Sequence, residues 1–291
     1  DTAGPAELGV ILANGVTAAR IMIGTPEHLF LRREVACGRV AGPQLFVASP
    51  HLVVRAQPNG ITVSTEQEAR DAVRRVSEAG YDMVKITLFI TRPVYDAIVD
   101  EAAKRRIRVV GHVDPAVGVA RTLETGQQVE HLDSYFEAAL ADSAPMGTSV
   151  TQQYVFNLNN WRSLDYIDDR KLDRLAGATA RAGTWSSPTL NIFNTAFATG
   201  ETDEAIKGRP DWNMLPPHIR EGYMRARERY WAEPTKVERT DARRRRYVEV
   251  RNRLVKAIVD SGGRILAGSD TPEWLHAYGW GLHRELEALV Q

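Results

Sequence analysis

Cysteine is nearly absent from this chain: Cys37 is the only one among 291 residues. That excludes a disulfide framework and a thiolate metal cluster. A surplus of one charge is also lacking, since Lys+Arg and Asp+Glu number 37 each. The balance gives no electrostatic footprint for nucleic acid or an anionic membrane. No apolar run reaches the ~18 residues of a membrane span. Neither G-x-G-x-x-G nor a phosphate-loop motif occurs, which weakens a nucleotide-binding reading. The chain opens "DTAGPAELG", without methionine or signal peptide. Any targeting segment would lie upstream, so the compartment is not legible.

What is present is a large apolar fraction, 43%, enough for a sizeable core. Strand-like and helix-like segments alternate. Strands are predicted at Gly15–Ile23, at Gln44–Ser49, in "YDMVKITLFI" (Tyr81–Ile90), in "IRVVGHV" ending on His112, in "QQVEHL" ending on His131, in "TWSSPTL" and in "GRILAGSD" ending on Asp270. Helices are predicted at about Pro26–Cys37, after Ser64–Thr65 with a capping box to Gln67 or Glu68, after Thr91, up to Gly126, and over "DRKLDRLAGATARAG". The last predicted helix is "GLHRELEALVQ". Near-continuous apolar strands, each followed by helix, argue for a parallel sheet covered on both faces. The α/β pattern reads as a (β/α)8 TIM-like barrel lacking one unit, with a doubly wound open sheet as the alternative.

The polar residues sit where a barrel builds its chemistry. His112, His131 and Asp270 end strands, and Lys85 lies toward the end of another; those ends converge on one face of a barrel. Each has an ordinary reading. A strand-end histidine can be a hydrogen-bonded packing residue, and Asp270 in "GSDTP" can cap a helix or form an Asx-turn. Lys85 can snorkel or pair with Glu130 or Asp82. Together they form a constellation of imidazole and carboxylate donors suited to Zn²⁺, Mn²⁺ or Fe²⁺. An ammonium repels a cation. A lysine held in an apolar site can be neutral, and a neutral amine can take up CO₂ as a carbamate, a bidentate anion able to bridge two metals.

"VKIT", "VVGHV", "VEHLDSY" and "LAGSDTP", in that order, resemble the metal-dependent amidohydrolase superfamily. The branch they resemble is the imidazolonepropionase-like one, which includes Xaa-Pro dipeptidase-type enzymes. The stretch from "LANGVTAARIMI" to "QLFVAS" and the final "GLHRELEALVQ" share the resemblance. It covers nearly the whole chain except roughly residues 142–183 and 196–250. The resemblance implies an eight-stranded barrel, 1–291 being its incomplete body, and two divalent metal ions, zinc first among them. Lys85 would be the carbamylated bridge, His112 and His131 would bind the second metal, and Asp270 would bind the first and orient or deprotonate the bridging hydroxide. The implied activity is hydrolysis of an amide, peptide or cyclic amide bond in a small-molecule or dipeptide-like substrate.

One departure matters. The family's first strand carries a His-x-His pair, and none exists here; His28 and His51 are isolated and follow the wrong strands. The expectation is that this pair precedes Asp1, and that the first strand and a small flanking β domain lie outside the chain. Two alternatives stay open: a catalytically inert barrel acting as a binding protein, and a hydrolase of esters or lactones. Tyr135, Trp274 and His276 are candidate substrate contacts. The helical stretch at about 196–250 either lids the site, through Trp212, Tyr223 or Tyr230, or decorates the barrel rim. "RRRR" at Arg243–Arg246 has acidic neighbours and reads as a solvated helix face. A homo-oligomer is an open expectation.

Overall fold

The computed structural model describes residues 4–87, 89–145, 161–194, 201–232 and 238–290, with the side chains of 230 and 231 outside that description. The lid contact expected of Tyr230 therefore lies outside the described side chains. The chain divides into two compact units, Asp1–Asp133 and Ser134–Gln291.

The first unit holds strands β1 (Ala18–Ile21), β2 (Gln44–Val47), β3 (His51–Val53), β4 (Gly60–Thr62), β5 (Met83–Ile86), β6 (Arg108–Gly111) and β7 (Gln128–Glu130). Its helices are α1 (Pro5–Ala13), α2 (Pro26–Ala36), α3 (Glu66–Glu78), α4 (Arg92–Arg105) and α5 (Gly118–Thr125). β1 pairs with β2, and β4, β3, β5, β6 and β7 lie side by side in that order. Every pairing between these strands is parallel. Each residue of β5 is buried, as expected of a strand covered on both faces. Leu52, Val84, Val110 and Val129 are completely buried, each contributing roughly 1.5–3 kcal/mol by leaving water.

The helix signals act as read. Thr65 Oγ1 accepts the Glu68 N–H at 3.2 Å while Glu68 Oε2 accepts the Thr65 N–H at 3.1 Å, so the capping box is Thr65–Glu68. Thr91 occupies the N-cap position of α4 in extended backbone without a side-chain cap hydrogen bond, and Gly126 closes α5 in the left-handed conformation. Three elements of this unit lie outside the sequence expectation: α1, β3 and β4. The short strands β3 and β4 are bracketed by Pro50, Pro58 and Gly60, which obscures any alternation. β3 pairs along its length with β4 and, through Leu52 against Ile86, with β5, a long-range pairing no local pattern reveals.

The second unit holds strands β8 (Trp185–Ser187) and β9 (Arg264–Ile265), also parallel. Its helices are α6 (Tyr135–Ala138), α7 (Asp169–Ala182), α8 (Asp203–Lys207), α9 (Pro217–Ala232), α10 (Asp241–Asp260) and α11 (Trp280–Val290). Leu172 and Ala176 of α7 and Val250, Leu254 and Ile258 of α10 are fully buried. The expected strand ending on Asp270 is shorter, stopping at Ile265. Its partner β8 runs into Pro188, which has no N–H to extend the ladder. Three of the four arginines in the run have carboxylate partners, on α10 and on neighbouring elements: Arg243 pairs with Asp165, Arg244 with Asp241, and Arg246 with Asp169 and Glu249. Among the described residues, no helix is long and apolar enough to cross a membrane. Parallel strands alternating with helices make this a mixed α/β fold, of the class that includes TIM-like barrels and open sheets.

Candidate functional site

In the first unit, β5 carries Lys85 into the core at 4% exposure. Its backbone N–H is held by Ser49 Oγ at 3.0 Å. The two carboxylates proposed as partners have other engagements. Asp82 takes Arg32 at 2.5 Å and the Val47 N–H at 2.7 Å. Glu130 takes a two-pronged contact from Arg20, at 3.1 and 3.3 Å.

Next to β5, β6 ends in Gly111 and delivers His112. A Cβ on Gly111 would sit 2.1 Å from the Ile86 carbonyl oxygen, and its φ of 131° is open only to glycine. The glycine therefore lets the two backbones close up directly before the histidine. The His112 N–H then donates to Ile86 O at 3.3 Å, and Gln127 Nε2 donates to the His112 carbonyl at 3.1 Å. The His112 imidazole stacks on that of His131, with centroids 5.2 Å apart and planes 21° from parallel. Its Nδ1 lies 2.8 Å from Asp133 Oδ2, a carboxylate almost fully buried. Burial, and next the charge of Lys85, hold the His112 pKa well below the usual histidine range, so the ring is neutral at pH 7.

His51, set aside in the sequence reading, belongs to this neighbourhood. It opens β3, and its pKa is lowered by burial and, to a smaller degree, by Lys85. Its Nε2 meets the Pro58 carbonyl at 3.2 Å. His28 is a helix-cap residue, its Nδ1 accepting the Thr25 N–H at 3.0 Å.

In the second unit, Asp270 lies on an irregular turn after β9, with φ of 50°. Glu273 N–H returns to the Asp270 carbonyl at 3.0 Å. Tyr223 of α9 hydrogen-bonds to the Glu273 side chain, and Asp270 acts electrostatically on both. Burial raises the Glu273 pKa, with Asp270 adding to it. Trp274 lies against Tyr223, ring centroids 6.3 Å apart. The helical stretch thus reaches the Asp270 turn through Tyr223, and both Tyr223 and Trp212 pack beside the buried cluster of Ile206, Leu215, Leu275 and Ala277.

Two expected substrate contacts are placed inside the packing. Tyr135 is completely buried, its hydroxyl 2.8 Å from Thr179 Oγ1, and burial pushes its pKa up to about 12. His276 is 1% exposed, and among the described residues neither ring nitrogen has a hydrogen-bond partner. Burial, with Arg209 and Arg284 nearby, pushes its pKa down to about 3.

Backbone strain marks the strand ends independently. Of the ten described non-glycine residues with positive φ, eight follow the carboxyl ends of β5, β7, β8 and β9: Phe89, His131, Leu132, Ser134, Thr189, Asp270, Trp274 and Leu275. Such conformations concentrate at functional sites because surrounding structure must enforce them. Glycine, asparagine and aspartate signal such turns in a sequence; of these eight positions only Asp270 carries one.

As to metal, among the described residues no group of three or more His, Cys, Asp or Glu side chains forms a cage. The donor chemistry of His112 and His131 nevertheless fits a divalent ion: two stacked imidazoles, one with a carboxylate at its Nδ1, beside a buried lysine.

No family model and no curated protein matches the chain. Among solved structures, a bottromycin amidohydrolase is similar at a TM-score of 0.73 and 25% identity, covering 98% of this chain and 59% of that one. A candidate prolidase from Bifidobacterium longum is similar at a TM-score of 0.62 and 19% identity, with the same coverage of 98% and 59%. The chain spans 59% of the length of each of these proteins. The neighbours agree with the superfamily to which the strand-end motifs point: the chain has the fold of an amidohydrolase.

Proposed function

We propose that this chain is the body of a metal-dependent hydrolase that cleaves an amide, peptide or cyclic amide bond. The observation that carries the reading is the stacked His112–His131 pair at the ends of adjacent parallel strands, beside buried Lys85. The bottromycin amidohydrolase and the candidate prolidase support it through their shared fold.

His112 and His131 would hold one divalent ion, and Lys85, as a carbamate, would supply an anionic bridge to a second. When bound, such ions polarise a substrate carbonyl and lower the pKa of water toward ~7. The remaining steps belong to the protein. Asp270 accepts the proton of the attacking water and delivers it to the nitrogen of the leaving amine as the C–N bond breaks. Lys85 Nζ forms its N–C bond with CO₂ and releases one proton. Tyr223 and Trp274, beside the Asp270 turn, provide aromatic surface that limits water.

The test is the full-length protein produced with supplemented zinc or manganese. Elemental analysis should find bound metal, and a panel of Xaa-Pro dipeptides, N-acyl amino acids and lactams should include a substrate. Isotopically labelled CO₂ should give a carbamate signal that Lys85→Ala abolishes. A protein that binds no metal and cleaves no member of the panel would overturn the reading.

A further inference from the structure

His276 has no part in the chemistry proposed above. It is 1% exposed, and among the described residues neither Nδ1 nor Nε2 has a hydrogen-bond partner. A neutral imidazole carries one N–H donor and one acceptor lone pair. Leaving such a group unmade in the interior costs roughly 1–3 kcal/mol. Orphaned polar atoms of this kind call for a small polar occupant, either water or an ion. The surroundings decide between the two. The charged groups that act on the ring are Arg209 and Arg284, both cationic. Arg209 lies between α8 and Trp212, its side chain 10% exposed. One end of its guanidinium pairs with Glu201, while its Nε–H is buried and, among the described residues, also without an acceptor. Arg284 belongs to α11, with Glu287 at 3.7 Å. The start of α11 adds the positive end of a helix dipole, for a Cβ on Gly281 would lie 3.3 Å from His276 Cβ. The buried carboxylate of Asp211 is engaged by the Ala277 N–H at 3.4 Å. Orphan donors from two elements, under positive potential, suit an anion better than water, because hydrogen bonds to an ionised acceptor are roughly twice as strong.

We propose that His276, Arg209 and Arg284 form a binding site for a small monovalent anion, of the size of chloride or formate, held by a ring N–H of His276 and the Nε–H of Arg209. The enclosure sets the size: Leu275 and Ala277, on either side of the histidine, are buried as well. The site has a mechanical consequence. A Cβ on Gly281 would also meet Thr271 Cγ2 at 2.5 Å and Ser269 Cβ at 3.2 Å, so the start of α11, the histidine and both neighbours of Asp270 are packed together. An anion on His276 would fasten the segment that follows Asp270 to α11 and to Arg209. The binding site itself does not depend on the hydrolase reading.

The experiment takes the full chain in sodium gluconate, whose anion is too large for the site, and replaces gluconate stepwise by chloride, bromide or formate at constant ionic strength. The wild-type melting temperature should rise along a saturating curve, by roughly 2–4 °C in all. His276→Leu and Arg209→Gln should each lose the rise. Arg39→Gln, which changes an exposed arginine of the other unit, should keep it. In gluconate alone His276→Leu should melt close to wild type, since neither protein then holds the anion. A change that stays linear in anion concentration, or an equal rise in wild type and His276→Leu, would overturn the proposal. Should the variants fail to fold, wild-type crystals soaked in bromide decide alone. Anomalous scattering should place a bromide in contact with His276 and Arg209 Nε. Water in that place, with bromide at the surface only, would overturn the proposal as well.

Discussion

Two turns beyond strand ends hold histidines largely shielded from water, and they treat them oppositely. After β6 and β7, His112 has a carboxylate on one nitrogen, a stacked imidazole on its face and a lysine nearby. After β9, His276 is more deeply buried, yet among the described residues its nitrogens meet no partner, and its charged neighbours are Arg209 and Arg284. Both rings are neutral at pH 7, for the shared reason of burial. Neutrality therefore does not separate a ligand from a packing residue. Polar surroundings do: the first ring has a carboxylate at Nδ1, and among the described residues the second has no hydrogen-bond partner.

The comparison can be broken most severely at the residue proposed to move the proton. Asp270→Asn should lower kcat by roughly 10³-fold, within the usual span for a general base, while circular dichroism and bound metal stay close to wild type. Turnover at the wild-type rate would remove Asp270 from the chemistry. The next effect concerns how the first turn is built. Gly111→Ala should cost roughly 3 kcal/mol or more, since it combines a forbidden φ with a clash against a backbone oxygen. Gly126→Ala should cost only about 1 kcal/mol, because its Cβ would meet nothing within 4 Å and only the left-handed φ is penalised. Urea denaturation of the two variants distinguishes them.

A third buried group sharpens the comparison through pH. Glu285 is fully buried, and its Oε2 accepts the Asn191 N–H at 2.8 Å. Burial pushes its pKa up to about 7 from 4.5, against the hydrogen bonds of the 189–191 backbone and the pull of Arg251. The folded form therefore binds a proton that the unfolded chain has released. Its stabilising contribution is complete below about pH 4.5 and is lost as pH rises to about 7, a swing of roughly 3 kcal/mol at most. Glu285→Gln should flatten that part of the profile, read as the difference in melting temperature from wild type between pH 5 and pH 8. The smallest effect belongs to the unpartnered ring. In gluconate buffer, His276→Leu should shift stability by less than about 1.5 kcal/mol, because an apolar group of similar volume loses no hydrogen bond there. A selective rise in KM in that variant would return His276 to the substrate.

Much of this was legible in the residues themselves. Strand-end histidines announced β6 and β7, and Thr65 with Glu68 announced α3, because each signal is local. β3 was not legible, since three residues between prolines have no period and take their strand form from pairing with β4 and β5. That loss hid His51 from the Lys85 neighbourhood. Asp133 was hidden differently. Its contact depends on a turn through left-handed histidine, leucine and serine residues, types that signal no such conformation, and only folded coordinates carry it back onto His112. Tyr135 illustrates the converse: its position after His131 promised a shared face, but a four-residue helix turns it into the core toward Thr179.

The solitary thiol has a practical consequence. Cys37 is exposed at the end of α2, in the same unit as His112 and His131. A thiol-directed nitroxide or fluorophore therefore has one thiol to find among these 291 residues. With a paramagnetic ion such as Mn²⁺ added, relaxation of a nitroxide at Cys37 becomes a ruler from a known helix end to wherever the ion settles. The same sulfur can join two copies under oxidising conditions, so molecular-mass measurements belong in reducing buffer.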